Sequence, residues 1–256
     1  MDYSDFVQGI TFRYIPPSIR RPIGFRGLNQ FLRRVGVQLE AWNTRLPCDQ
    51  AELEHRLRGI GHVPRMSTFA IGALINRGVE AMPPGQAFVN VGVWNGYTFF
   101  SGMVHNPDKR CIGLDNFSHK NSPRTAFLQR FEQIRSSQHK FHEADYRDYF
   151  RSIHREPIGF YLFDGPHSYQ DQLEGLRLAE PFFAPNCLVL IDDTNWDQVR
   201  RANLDFISGS DYEYRMLLDV RTPKSGHPTF WNGIMLFQRG ALKSRAGNLE
   251  SQRPAA

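Results

Sequence analysis

The 256-residue chain has only three cysteines, Cys48, Cys111 and Cys187, far apart and without C-x-x-C spacing. That excludes a disulfide framework or a cysteine zinc site and fits reduced thiols in a cytoplasmic protein. No apolar run approaches the ~20 residues of a membrane span. The start MDYSDFVQGITFRYIPP has no basic stretch followed by an apolar one, so neither insertion nor export is expected. There is no G-x-S-x-G elbow and no cysteine beside a credible base, which argues against a covalent enzyme intermediate. A dense basic stripe is missing too. The formal charge is +5, but acids and bases are mixed, so a nucleic-acid partner is not expected. Acid is locally absent from Phe6 to Leu39, where Arg13, Arg20, Arg21, Arg26, Arg33 and Arg34 fall. That stretch reads as a solvated basic face, or as a lid or contact for an anionic substrate or partner.

From about residue 87 short apolar runs alternate with helical patterns: AFVNVGV, RCIGLDN, KFHEAD, IGFYLFDG and CLVLIDDT. Such alternation implies crossover connections and a parallel sheet covered on both faces. The intervening helices are expected near 96–105, 123–137, 146–154, 168–183 and 195–208. YRMLLDVRT and GIMLFQR follow, joined by the turn-rich PKSGHPTFWN, too short for a helical crossover, so that pair should be antiparallel. Before the sheet, Leu28, Phe31, Leu32, Val35, Leu39 and Trp42 recur at helical spacing. A second helix over STFAIGALINRGVEAM opens with Ser67 or Thr68 as cap. The expected division is a basic helical layer over 1–64, an α/β domain over 65–240 and a frayed tail over 241–256.

In FVNVGVWNGYTFF the first strand runs into Gly92 and Gly96 before a helix capped near Asn95 or Thr98. Glycines let the backbone approach a ligand, and a helix start offers unpaired N–H groups, here including Tyr97 and Thr98. The spacing departs from the G-x-G-x-x-G that cradles a pyrophosphate. The second strand ends at Asp115, about twenty residues on, where an acid of a doubly wound fold accepts from ribose hydroxyls; a turn acid is the plainer alternative. The third ends in Glu143, Ala144 and Asp145. Asp145 could reach the amino group of an adenine, or equally cap the helix that DYRDYF begins. Ribose and adenine without pyrophosphate point to a nucleoside-type cofactor.

With VNVGVWNGYT, IGLDNFS, YLFDGPHSY and LVLIDDTNW in this order, roughly over residues 65–240, the chain resembles the class I S-adenosylmethionine-dependent methyltransferases. Among them it is most similar to the sugar O-methyltransferases related to the macrocin and mycinamicin enzymes and to the cephalosporin hydroxylase-type proteins. The resemblance implies a doubly wound, Rossmann-like, seven-stranded α/β sheet with five or more parallel strands, a terminal antiparallel pair and an N-terminal helical layer. It implies S-adenosylmethionine as cofactor, held by Asn90, Gly92, Gly96, Tyr97, Thr98, Asp115, Asp145 and Asp164. Family members usually carry Glu or Asp at the position of Asn90, which brings no charge here but still donates and accepts hydrogen bonds. Pro185-Asn186-Cys187 replaces the usual Gly-Gly and reads as a turn variant.

Asp164 ends the fourth strand, and Asp192 and Asp193 end the fifth, its neighbour in this fold. Three converging carboxylates repel one another unless a hard cation compensates them, and oxygen ligands suit Mg²⁺. The resemblance points the same way, since metal-dependent members place ligands at these positions. Asn195 is a fourth oxygen or a helix cap. His167, in Asp164-Gly165-Pro166-His167, matches the D-x-x-H arrangement that carries the base in such sugar methyltransferases, and its ordinary pKa near 6.5 suits the role. Tyr169 and Trp196 are expected to flank the pocket. The resulting expectation is a Mg²⁺-assisted O-methyltransferase acting on a hydroxyl of a sugar or polyol-like small molecule, working as a homo-oligomer. The alternatives are a non-catalytic cofactor-binding or assembly protein of the same fold, or a nucleic-acid methyltransferase.

Overall fold

The alternating apolar runs all become strands of one sheet. In a computed structural model, which describes residues 1–20, 24–34, 37–47, 50–119 and 122–243, these are β3 (Ala87–Val91), β4 (Arg110–Leu114), β5 (His139–His142), β6 (Ile158–Phe163), β7 (Phe183–Asp192), β8 (Tyr212–Val220) and β9 (Ile234–Leu242). Their order is β5-β4-β3-β6-β7-β9-β8, with β3 to β7 parallel and β9 antiparallel to both β7 and β8. This is the doubly wound, seven-stranded sheet that the pattern predicts. A separate small hairpin joins β1 (Thr11–Phe12) to β2 (Thr44–Arg45).

Side chains alternate across the sheet, as period two requires. Phe160 and Leu162 of β6 enter one core with Phe88, Leu188 and Leu236, while Tyr161 and Phe163 enter the other with Val89, Val189 and Phe237. The first core is covered by α5 (Phe69–Ala81), α6 (Tyr97–Met103) and α7 (Arg124–Ile134). The second is covered by α8 (Tyr146–Asp148), which runs into a π turn at Tyr149–Ile153, and by α9 (Tyr169–Ala179) and α10 (Asp197–Gly209). Burying a large apolar side chain is worth roughly 1.5–3 kcal/mol, so two continuous cores make the sheet a rigid platform for whatever its strand ends carry.

Several local expectations change. Pro185 and Asn186 are no turn before a strand: β7 already begins at Phe183, Asn186 takes φ +64°, and the pairing with β6 slips there, making a bulge. The apolar stripe of the N-terminal layer is split between α2 (Phe25–Arg34) and α3 (Leu39–Asn43), and Leu28, Phe31 and Trp42 are exposed. Propensity made these helices, but no core closes over that stripe among the described residues. Two further helices, α1 (Tyr3–Gln8) and α4 (Gln50–Arg58), carry burial instead, with Phe6, Leu53 and Leu57 in the same core as α5. A buried Arg65–Glu40 ion pair at 2.6 Å ties this layer down. Arg21, Val35, Cys48 and the tail from 244 on lie outside the described residues, as do the side chains of Arg26, Arg33 and Arg34. Among the described residues no helix is long and apolar enough to cross a membrane.

Candidate active site

The carboxyl ends of β3 and β6 touch, and glycine makes that contact feasible. Gly92 takes φ +79°, and a Cβ there would stand 2.0 Å from the carbonyl oxygen of Asp164. No other residue fits. Gly96, at φ +102°, opens α6 without a side-chain cap, so neither Asn95 nor Thr98 plays that part. Asn95 accepts from Arg130 at 3.2 Å instead, and Thr98 is buried. The Tyr97 side chain turns into the layer between α5 and α6, where its hydroxyl donates to the Thr68 carbonyl at 3.3 Å and the Arg65 guanidinium covers its ring. Only the backbone of Tyr97 remains at the turn. Asn90 is fully buried beneath it; Nδ2 donates to the carbonyls of Val91 and Gly92 at 3.2 Å each, and Oδ1 has no donor among the described residues. An acceptor left this way costs about 1–3 kcal/mol, which a ligand's N–H would recover.

The acids after β4 and β5 are already engaged. Asp115 accepts the N–H of Trp94 at 2.8 Å and that of Phe117 at 2.7 Å, so it locks the glycine turn to its own loop. Both donors sit at positive φ, +46° and +48°, conformations that such fixed hydrogen bonds help to hold. Asp145 is the helix cap: Oδ1 accepts from Arg147 N at 2.9 Å, and Oδ2 from Asn116 at 3.4 Å.

The acids after β6 and β7 have a histidine and few donors to share. His167 Nε2 stands 3.1 Å from Asp193 Oδ2 and 3.6 Å from Asp164 Oδ1, an ion pair with both but without the alignment of a hydrogen bond to either. Burial opposes the charge on His167, yet the two carboxylates outweigh it and push its pKa up to about 10. Burial, reinforced by the Asp193 charge and opposed by His167, pushes Asp164 up to about 6. Asp192, buried behind the group, is raised well above the usual carboxylate range by the same desolvation and by both neighbouring acids. One ligand atom from each of Asp164, His167 and Asp193 lies within 4.8 Å of the others, whereas Asp192 falls outside this set and accepts the Asp193 N–H at 2.9 Å. Carboxylates short of donors beside an imidazole are a donor set that suits a divalent cation.

Around this group the expectations divide. Trp196 does flank it, its ring edge-on to His167 at 4.4 Å. Tyr169 does not, because its hydroxyl donates to Asp205 at 2.8 Å on the outer side of α9 and α10. Asn195 is neither ligand nor cap: its side chain donates to Thr222 O at 2.8 Å and accepts Thr222 N at 2.9 Å. Asn232, absent from the sequence reading, donates to Asp193 Oδ1 at 2.8 Å. Its only sequence signal is its place in a turn-rich stretch just before β9, the strand beside β7.

Residues 89–194, from β3 to the loop after β7, match a family described as a methyltransferase domain. No curated protein matches the chain. Among solved structures it is similar to the O-methyltransferase TomG from Streptomyces achromogenes, involved in tomaymycin synthesis and solved with SAM: 13% identity, TM-score 0.55, covering 87% of this chain and 100% of that one. Cofactor-bound Rv0187 from MTB aligns at 10% identity and TM-score 0.54, over 86% of this chain and 98% of that one. The Bacillus cereus O-methyltransferase solved with SAH aligns at 13% identity and TM-score 0.50, over 83% and 97%. At such identities the likeness is one of fold.

Proposed function

Since residues 89–194 match a family described as a methyltransferase domain, we propose that the protein is an S-adenosylmethionine-dependent, Mg²⁺-assisted O-methyltransferase acting on a hydroxyl of a sugar or polyol-like small molecule. One observation carries the reading: Asp164, His167 and Asp193 converge beside the glycine turn, on strand ends that the Gly92–Asp164 contact holds together.

The turn from Gly92 to Gly96, with the N–H groups of Tyr97 and Thr98, holds the amino-acid end of the methyl donor, and the free Asn90 Oδ1 accepts from its ammonium. Asp115 keeps lone pairs for the ribose hydroxyls after serving Trp94 and Phe117, and Asp145 does so for the adenine amino group after capping its helix. Asp164 and Asp193, with Asp192 behind them, hold the cation. When bound, Mg²⁺ supplies positive charge that lowers the pKa of a substrate hydroxyl and compensates the carboxylates, and the donor supplies an electrophilic sulfonium methyl. His167 keeps its proton while the carboxylates are bare. His167 is placed to take the hydroxyl proton through Nε2. Trp196 walls the imidazole on one side, and the rest of the work is alignment of the alkoxide with the methyl.

Calorimetric titration with S-adenosylhomocysteine tests the cofactor; saturable binding is expected, and its absence would contradict the reading. A screen of hydroxylated acceptors with labelled donor then tests the chemistry. His167→Ala should lower turnover by about 10²-fold or more with the fold intact, and turnover indifferent to chelator would remove the cation.

A further inference from the structure

We propose that Asn232 is a positioning residue of this site: it fixes the Asp193 carboxylate so that a single oxygen faces the cation and His167. The inference rests on the proposed cation-assisted reading and extends the site to a part of the chain far from the strand-end acids in sequence, the connection between β8 and β9.

Asp193 stands on a turn at φ +56°, away from the backbone shapes that ordinary residues prefer. Its two oxygens are divided. Oδ2 looks toward His167 at 3.1 Å, and Oδ1 accepts from Asn232 Nδ2 at 2.8 Å. With Asp164 and Asp192 close by, a carboxylate without that donor would turn away from its neighbours to relieve repulsion.

Asn232 is itself held so that only its donor end can face Asp193. It is 5% exposed. Its carbonyl accepts Asn195 N at 3.0 Å, and its Oδ1 accepts Asn195 Nδ2 at 3.2 Å. The Asn195 amide cannot be reversed, because it gives Nδ2 to Thr222 O and Oγ1 and takes Thr222 N at Oδ1. One amide orientation therefore dictates the next.

The backbone around Asn232 is built for the same placement. Trp231 has φ +48° and Gly233 φ +81°, and a Cβ on Gly233 would stand 2.6 Å from Asn195 Oδ1 and 2.9 Å from Val220 O. Strain at Trp231 on one side, and a backbone shape and close approach that only glycine allows on the other, are characteristic of a position that must be kept. Farther along the connection, Thr229 O accepts from Thr68 at 2.5 Å, Phe230 meets Phe12 edge-on, and His227 Nε2 donates to Ile19 O at 2.7 Å. The connection is thus clamped between the N-terminal segment and the acids, and Asn232 is the point at which it reaches them.

Removing an outer partner of a metal ligand typically costs about 10- to 100-fold in metal affinity. The test uses the full chain and three readouts: Mn²⁺ binding by electron paramagnetic resonance, S-adenosylhomocysteine binding by calorimetry, and the thermal midpoint without metal. Asn232→Ala should lose about 10- to 100-fold in Mn²⁺ affinity while homocysteine-ligand affinity stays near wild type. Added to Asp193→Asn, it should change Mn²⁺ binding no further, since the carboxylate it orients is gone. Asn232→Leu keeps the buried volume and should behave as Asn232→Ala does. Wild-type Mn²⁺ affinity in Asn232→Ala would overturn the inference, as would parallel loss of both ligands with a collapsed midpoint in both variants. A wild-type protein that binds S-adenosylhomocysteine but no Mn²⁺ would overturn the cation reading itself, and this inference with it.

Discussion

Asp115 and Asp145 close the strands on one side of the sheet's centre, and Asp164, Asp192 and Asp193 close those on the other. Asp115 and Asp145 receive backbone N–H groups, from Trp94 of the glycine turn and Phe117 of its own loop for the first and from Arg147 for the second. The second set has too few donors for its charge, so burial and mutual repulsion raise Asp164 and Asp192, and His167 is drawn in as a counter-ion. An acid with N–H partners shapes a loop at no electrostatic cost. A crowded set without them costs stability until something positive arrives.

The sharpest way to break this contrast is to remove charge from the crowded side. Asp193→Asn retains the left-handed backbone that Asn tolerates and should weaken Mn²⁺ binding, still measurably, by more than the about 10- to 100-fold expected for an outer partner. The metal-free thermal midpoint should not fall; a clear fall would mean that Asp193 is structural. On the other side Asp115→Ala should weaken S-adenosylhomocysteine by roughly 1–3 kcal/mol and lower the midpoint as well, because two loop N–H groups lose their acceptor. Calorimetry and melting together check it, and a change in neither would detach Asp115 from the site. Smaller again, Asp145→Ala should cost about 1 kcal/mol as a lost cap, and Asp145→Ser should restore stability without restoring ligand affinity. Wild-type affinity in both variants would leave Asp145 a cap alone.

Histidines extend the contrast with an effect on stability. His139 and His154 are pulled below the ordinary range by burial, and each is wired as a neutral ring: His139 accepts Ser136 N and donates to Asn106 O, and His154 accepts Tyr149 OH and donates to Glu156 O. The unfolded chain takes up protons below about 6.5 that these folded sites refuse. Their contribution is therefore present above that pH and lost as pH falls through it. The raised His167 should make the midpoint climb from pH 8 to 7, so the test is a difference: the advantage of wild type over His139→Ala should shrink from pH 7 toward pH 5, and an advantage unchanged to pH 5 would contradict this wiring.

The strands and the acids at their ends were readable in the sequence because both are local: an apolar run of one period stops where a charged residue begins. Gly92 and Gly96 were readable for the same reason, each needing a backbone shape that its neighbours cannot supply. Asn232 was not, because its partner Asp193 lies 39 positions away and the two meet only through the pairing of β9 with β7. Tyr169 was misread in direction, since spacing says that an aromatic is near a strand end but not which side of its helix faces the cavity. Leu28, Phe31 and Trp42 show the other limit, where helical period is real but no surface of the described residues closes over it.

In the proposed function Asp164 and Asp193 would hold a cation beside the reactive end of the methyl donor. Adding Mn²⁺ to the S-adenosylhomocysteine complex and following ligand proton relaxation by nuclear magnetic resonance tests that placement directly. Protons flanking the ligand sulfur should broaden strongly and the adenine protons much less. Uniform broadening, or none at saturating Mn²⁺, would contradict it.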